Sequence, residues 1–315
     1  MMMINLLKKK IELPDYKIKF LTFSIISLGI IILELAIIPP YQENNKTKFE
    51  VTYSDKFQEK GFDGRLLLLI STNNNLEPRF QINDNHNTQQ VFGIDVNEWN
   101  SDQKIMINES AVGYPLQTLN KLKEGEYYVQ AFLHKYETFN LSTGHTVKLP
   151  MDQGEGQKWN ISPKNLYSTT KKIRITKSGI VNINIDNEIP AIQPAEDTKF
   201  IKHIKIKSAM LSEFWGRDMY LQANVLVPYG FSKKSSTNYP LMIFHGHFPY
   251  TFGGFRTSAP TAPKEDNVYS SRFGITGYKY IQEKEAYDLH KNWISDDFPR
   301  FIAIEIQHQN PYYDD

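Results

Sequence analysis

Leu241-Met242-Ile243-Phe244-His245-Gly246-His247 is the stretch on which the fold of the last third of the chain turns. Four large apolar residues run straight into a polar loop that contains glycine, and they read as a compact apolar strand. Downstream, Ile281 to Trp293 has helical spacing, with Ile281, Ala286, Leu289 and Trp293 on the expected core face. Phe301 to Ile306, FIAIEI, then reads as a strand with His308 at its end. Strand, loop, helix, strand predicts a parallel pair joined by a crossover helix. Upstream, Ile204 and Ile206 alternate in one short strand, and Tyr220 to Pro228, YLQANVLVP, forms another. Residues 200–315 therefore read as the beginning of an α/β domain.

The segment 187–199, NEIPAIQPAEDTK, has two prolines and no periodicity and reads as a linker. Before it, residues 41–186 alternate apolar and polar with period two between regularly spaced turns. Phe49, Val51 and Tyr53 share a face, as do Tyr127, Val129, Ala131 and Leu133, while Val181, Ile183 and Ile185 alternate with Asn182, Asn184 and Asp186. Leu66 to Ile70, LLLLI, is unbroken and predicts a strand buried on both sides. Turns are expected at Asp63-Gly64, Glu124-Gly125-Glu126 and Ser178-Gly179. The fold class expected is thus multidomain: an all-β, immunoglobulin-like sandwich followed by the incomplete start of the α/β domain. In the sandwich, Asp152 to Trp159, DQGEGQKW, reads as a surface loop whose Trp159 covers a sheet edge, with a carbohydrate or ligand loop as the functional alternative. His86, His134 and His145 lack ligand spacing and read as surface or edge-strand residues.

Residues 1–40 carry Lys8, Lys9, Lys10, Lys17 and Lys19 ahead of an apolar run from Phe20 to Ile38, interrupted by Glu34 and closed by Pro39-Pro40. About 20 apolar residues suffice to cross a bilayer as a helix, and lysines on the leading side put the N-terminus inside. No A-x-A cleavage pattern follows, which favours an uncleaved membrane anchor over a signal peptide. The expectation is an exported chain, periplasmic or at the cell surface, held to the membrane by residues 20–38. With 36 Lys plus Arg against 35 Asp plus Glu, no bulk field attracts nucleic acid. The absence of cysteine excludes disulfides, thiolate metal sites and cysteine nucleophiles.

Ser212 to Phe231, SEFWGRDMYLQANVLVPYGF, followed by Tyr239-Pro240-Leu241-Met242-Ile243-Phe244-His245-Gly246, resembles the opening of the esterase family that includes enterochelin-esterase-like and esterase-D-like α/β-hydrolases. The β-rich region before it resembles the N-terminal domain of that family's larger exported members. The resemblance implies a serine nucleophile acting on a small-molecule ester, without a cofactor. It also implies an oxyanion hole with a backbone N–H from the loop after His245-Gly246, so Gly246, His247 and Phe248 are the candidates and His245 braces the loop. His-Gly is followed here by His247-Phe248-Pro249, a departure that leaves the donor among those three open.

No G-x-S-x-G nucleophile elbow occurs in the 315 residues, and Ser270 and Ser271 lack its flanking glycines. The resemblance implies that the elbow strand lies beside the strand ending at His245 and follows the one ending near His308, so the nucleophile is expected downstream of Asp315. No catalytic residue is therefore assigned within the chain, and it reads as a truncated, inactive esterase. Two alternatives stand beside this: a non-catalytic extracytoplasmic binding protein using the sandwich, and a metal-dependent hydrolase with His245 and His247 as an H-x-H pair completed by His308 and Asp314 or Asp315.

Overall fold

The computed structural model describes residues 46–57, 61–156, 158–234, 236–245, 252–261, 269–270, 275–307 and 310–311. Twelve strands make the first part: β1 (Lys46–Tyr53), β2 (Phe62–Ser71), β3 (Gln90–Trp99), β4 (Ile105–Ile107), β5 (Val112–Tyr114), β6 (Gly125–Lys135), β7 (Glu137–Asn140), β8 (Thr146–Leu149), β9 (Leu166–Tyr167), β10 (Lys171–Ile175), β11 (Ser178–Ile185) and β12 (Asn187–Glu188). A three-stranded sheet, β11-β1-β4, faces a seven-stranded one ordered β12-β9-β6-β2-β3-β5, with β10 also paired to β6. The architecture is mostly β, with a β-sandwich at its heart. Its core interleaves Phe49, Val51, Ile183 and Ile185 of the small sheet with Leu66, Leu68, Phe92 and Val129 of the large one, in the alternation read from the sequence.

β2 is buried on both faces, as its unbroken apolar run predicts. Leu66, Leu68 and Ile70 enter the inter-sheet core. Leu69 turns the other way, onto Phe132 and Ile189, where Trp159 and Tyr167 pack as a lid. The Trp159 ring meets Phe132 edge to face at 5.2 Å, so this tryptophan covers the outer face of the large sheet. Asp63-Gly64 is a correction: the pair lies within β2 at a register shift, not in a turn. Gly64 has φ +156°, and a Cβ there would lie 2.2 Å from the His134 carbonyl oxygen, so glycine permits a bulge against the neighbouring strand. His134 is corrected too, since it sits in β6, between β2 and β9.

The C-terminal part comprises β13 (Ile201–Lys207), helix α1 (Ala209–Trp215), β14 (Tyr220–Leu226), β15 (Leu241–Phe244), the short pair β16 (Tyr269–Ser270) and β17 (Ile275–Thr276), helix α2 (Tyr278–Trp293) and β18 (Ile302–Gln307). Four of these strands form one sheet in the order β13-β14-β18-β15. The first two contacts are antiparallel, and β18 with β15 is parallel. Helix α2 is the crossover, and it packs Trp293 on Phe200, Leu226, Phe255 and Ala303. The Trp293 indole N–H donates to the Val227 carbonyl at 2.9 Å, so the buried nitrogen is satisfied. Ala286 and Trp293 are buried as expected, but Ile281 is 42% exposed. At about 100° per residue Ile281 stands roughly 120° round the helix from Trp293, outside the arc that meets the sheet.

Helix α1, not foreseen from the sequence, joins the two parts within one compact unit. Ser208 caps its start by accepting from the Leu211 N–H, and Gly216 ends it at φ +66°. A Cβ on Gly216 would fall 2.3 Å from the Asn140 carbonyl oxygen, so only glycine lets the helix end approach the β7–β8 hairpin. There Trp215 and Met219 bury against Phe139, with Leu141, Val147 and Leu149 around them, and Arg217 pairs with Glu137. Replacing Trp215 by alanine removes the centre of this contact, at a cost of about 3–5 kcal/mol. Thermal unfolding of Trp215→Ala is expected to split into two transitions, with cleavage by trypsin within 190–207 much faster than in the parent; a single unshifted transition would show that the junction does not couple the two parts.

Candidate functional site

β15 and β18 are parallel, so their carboxyl ends meet on one side of the sheet, the side at which ligands gather in sheets of this kind. His245 follows β15 directly and is exposed. At the end of β18, Gln307 lines a cleft of about 570 Å³ together with Gln222, His203, Lys205 and, from the sandwich, Gln153 and Gly154. Two smaller clefts share Gln153 with it. One, about 210 Å³, passes Lys164, Arg217 and Tyr220, and the other, about 290 Å³, ends at Asp63 and Lys135. The arrangement is a groove of mixed character along the seam beside the α1 junction, with Ile192, Pro194 and Ile204 lining the 570 Å³ cleft beside the polar residues.

Individual residues of the groove are held by identifiable bonds. Asp197 accepts from the His203 backbone N–H at 2.9 Å and lies 3.3 Å from its Nδ1, which fixes the ring. The same backbone bond is the main reason the Asp197 carboxyl sits below its ordinary range. Lys205 extends over the Tyr220 ring at 4.6 Å. Lys164 holds a left-handed backbone, φ +67°, with its N–H donating to the Ile189 carbonyl at 2.8 Å. Such strain in a non-glycine residue is tolerated where the surroundings over-determine it, and here it presents the lysine between two of the clefts.

Beneath the groove lie two buried carboxyls in the loop that begins at Asp152. Asp152 Oδ1 accepts from the N–H groups of Gly154 (2.8 Å) and Gly156 (3.2 Å). Glu155 accepts from the Gln153 N–H and the Ser162 hydroxyl, each at 2.8 Å. The sequence reading placed this stretch on the surface, yet Asp152 and Glu155 are 3% and 2% exposed. Glycines at 154 and 156 were the available signal, since they let backbone N–H groups fold back onto an acid. Burial, helped by the neighbouring Asp152 charge, pushes the Glu155 carboxyl up to about 7.

A third feature sits in the sheet. His203, Asn224 and Glu305 are register mates across β13, β14 and β18 and so share a face with Leu226 and Ala303. Glu305 accepts from the Gly253 N–H at 2.7 Å. Asn224 is fully buried, and among the described residues neither its amide nitrogen nor its oxygen has a partner. An unsatisfied buried amide costs about 1–3 kcal/mol.

Of the residues assigned from sequence, His245 alone is described among the esterase candidates. Gly246, His247, Phe248 and His308 lie outside the described residues, as do Ser271, Asp314 and Asp315. Ser270 is in β16. Among the described residues no group of three or more His, Asp or Glu is arranged to hold a metal ion. His134 is driven by burial down to about 4 and is neutral at pH 7. No described helix is long and apolar enough to cross a membrane, and residues 20–38 lie outside the description.

Two measurements follow from these groups. Folding raises the Glu155 carboxyl from 4.5 to about 7, so its burial carries no penalty below pH 4.5, an increasing one from 4.5 to 7, and the full one above. Glu155→Gln is expected to stabilise the protein by on the order of 1–3 kcal/mol in urea unfolding at pH 8 and by nothing at pH 4; an equal effect at both pH values would sink the assignment. Asn224→Val, which removes the unpartnered amide, is expected to raise stability by about 1 kcal/mol, and a loss in the same assay would mean that the amide is satisfied in solution. In comparisons with known proteins, no family model, no curated protein and no solved structure matches the chain.

Proposed function

We propose that the chain is an exported serine-esterase-like protein of α/β-hydrolase descent that does not hydrolyse esters by itself. The observation that carries the reading is the sheet order β13-β14-β18-β15, with its parallel β15–β18 pair and the α2 crossover. In α/β-hydrolases one oxyanion donor comes from the loop between the third strand and the first crossover helix. β15 is the third strand of this sheet in chain order, and the loop after it begins His245-Gly246. On this reading Gly246, His247 or Phe248 supplies the N–H that meets the developing alkoxide, a contact typically worth about 3–4 kcal/mol of barrier. His245 steadies the loop, and the groove at the end of β18 receives the ester. The sandwich is of the immunoglobulin-like kind, and residues 20–38 hold the chain to the membrane.

Catalysis would need a serine at a sharp strand-to-helix turn and an acid and a histidine to activate it. The 315 residues contain no G-x-S-x-G in which to find that serine. The test is turnover of a short-chain aryl ester. The 315-residue chain is expected to match the buffer blank, and a version extended through the reading frame that follows to gain activity that is lost when its elbow serine becomes alanine. Turnover by the 315-residue chain would place the nucleophile among its own serines and end the reading. The groove also supports a second reading, a non-catalytic binding protein, since sandwich and sheet together line a cleft of about 570 Å³.

A further inference from the structure

Two lysines meet at the seam, Lys164 from the sandwich and Lys205 from β13, and both line the cleft of about 210 Å³. The acids along that cleft already have partners. Glu137 pairs with Arg217, Asp218 pairs with Lys207 at 2.6 Å, and the buried Asp152 accepts from the Gly154 and Gly156 N–H groups. Among the described residues no acid pairs with Lys164 or Lys205. Two ammonium groups against the one carboxylate that has no cation, Asp152, leave a single positive charge in excess. Lys164 is also held where a lysine does not rest easily. Its φ is +67°, and its neighbours Pro163 and Asn165 are buried, with Asn165 donating to the Trp159 carbonyl and accepting from the Lys135 N–H, each at 2.9 Å. Glycine takes such a backbone without strain, and the ammonium is what glycine lacks. Lys205 is steadied over the Tyr220 ring, and with Gln153 and Gln222 it is shared with the cleft of about 570 Å³, whose wall turns apolar at Ile192, Pro194 and Ile204.

We propose that the two adjoining clefts bind one small ligand that carries a carboxylate, held across the seam by Lys164 and Lys205 while its less polar remainder lies along Ile192, Pro194 and Ile204. Hydrogen bonds from an ammonium to a carboxylate are charge-assisted and among the stronger ones a site can offer. A carboxylate matches the excess of one positive charge, whereas a phosphate, with about 1.5 to 2 negative charges at pH 7, overshoots it. The lysines come from two parts of the chain, so one anion between them also ties the sandwich to the sheet. In one respect the inference rests on the ester reading of the groove: the ligand is then an ester whose acid or alcohol half bears the carboxylate. The anion site itself stands without that reading.

The experiment titrates butyrate, monomethyl succinate and dimethyl succinate into the full 315-residue chain by calorimetry, at low salt and at pH 6, where the Glu155 carboxyl is largely uncharged. The expected result is 1:1 binding of butyrate and of the monoester, with the neutral diester at least about tenfold weaker, and a loss of affinity for the two anions as salt is raised. Lys164→Gly and Lys205→Gln are each expected to weaken the anions about tenfold, while Lys172→Gln, which removes the same charge from β10, keeps the parent's affinity. Lys164→Gly relieves the left-handed backbone and is expected to unfold at or above the parent's temperature, so its lost binding is not lost folding. Equal binding of monoester and diester overturns the inference, as do lysine variants that bind like the parent or a Lys172→Gln that weakens as much as they do. Inorganic phosphate binding tighter than butyrate overturns the assignment to a carboxylate. If butyrate binds as expected while the chain extended through the elbow turns over no carboxylate-bearing ester, the anion site stands and the ester reading alone falls.

Discussion

Burial of β2 on both faces is the constraint on which the rest of the molecule leans. Leu66, Leu68 and Ile70 close the inter-sheet core, while Leu69 meets Phe132 and Ile189 on the outer side. Each fully buried aliphatic side chain contributes about 1.5–3 kcal/mol, so this one strand can secure both layers of the sandwich. In the four-stranded sheet the apolar cluster lies on the α2 face around Trp293, while Val225 of β14 is buried on the opposite face.

What links the two parts is aromatic and small. Trp215 meets Phe139 edge to face with ring centroids 5.2 Å apart, and the helix that carries it ends on a glycine because the hairpin backbone passes too close for any side chain. That contact sets the seam between sandwich and sheet, and the seam is the groove. Residues far apart in the chain, Gln153 and Gln307 among them, line one cleft where the sandwich meets the sheet, beside the contact of α1 with the β7–β8 hairpin and the bond from the Asp152 N–H to the Asn310 carbonyl.

The polar groups along this seam and in the sheet are held at some energetic cost. Glu155 is buried next to another acid, the Asn224 amide has no partner among the described residues, and Lys164 adopts a backbone that side chains resist. Local violations of this sort concentrate where a protein has work other than folding. Here these three lie along the groove or in the sheet beside it, while the sandwich has a departure of its own in Glu98 of β3, at φ +48°.

Much of the fold was legible in the chain. Period-two alternation assigned the faces of β1, β6 and β11, the LLLLI run assigned β2 to double burial, and the run at 241–244 was read as a strand with its present bounds. These patterns are local, and burial of apolar side chains at a fixed period decides them. The G-x-S-x-G question is likewise answered by sequence, because it concerns which residues exist. Ile281, helix α1, the bulge at Gly64 and the buried carboxyls of Asp152 and Glu155 were not legible. Each depends on what another segment does: where the sheet meets the helix, how near Asn140 or His134 comes, which N–H groups fold back on an acid. Sequence by itself determined which residues of the strands share a face; only the tertiary structure decided the groove and which side of the four-stranded sheet α2 covers, because proximity between distant segments follows from packing and is not a property of either segment alone.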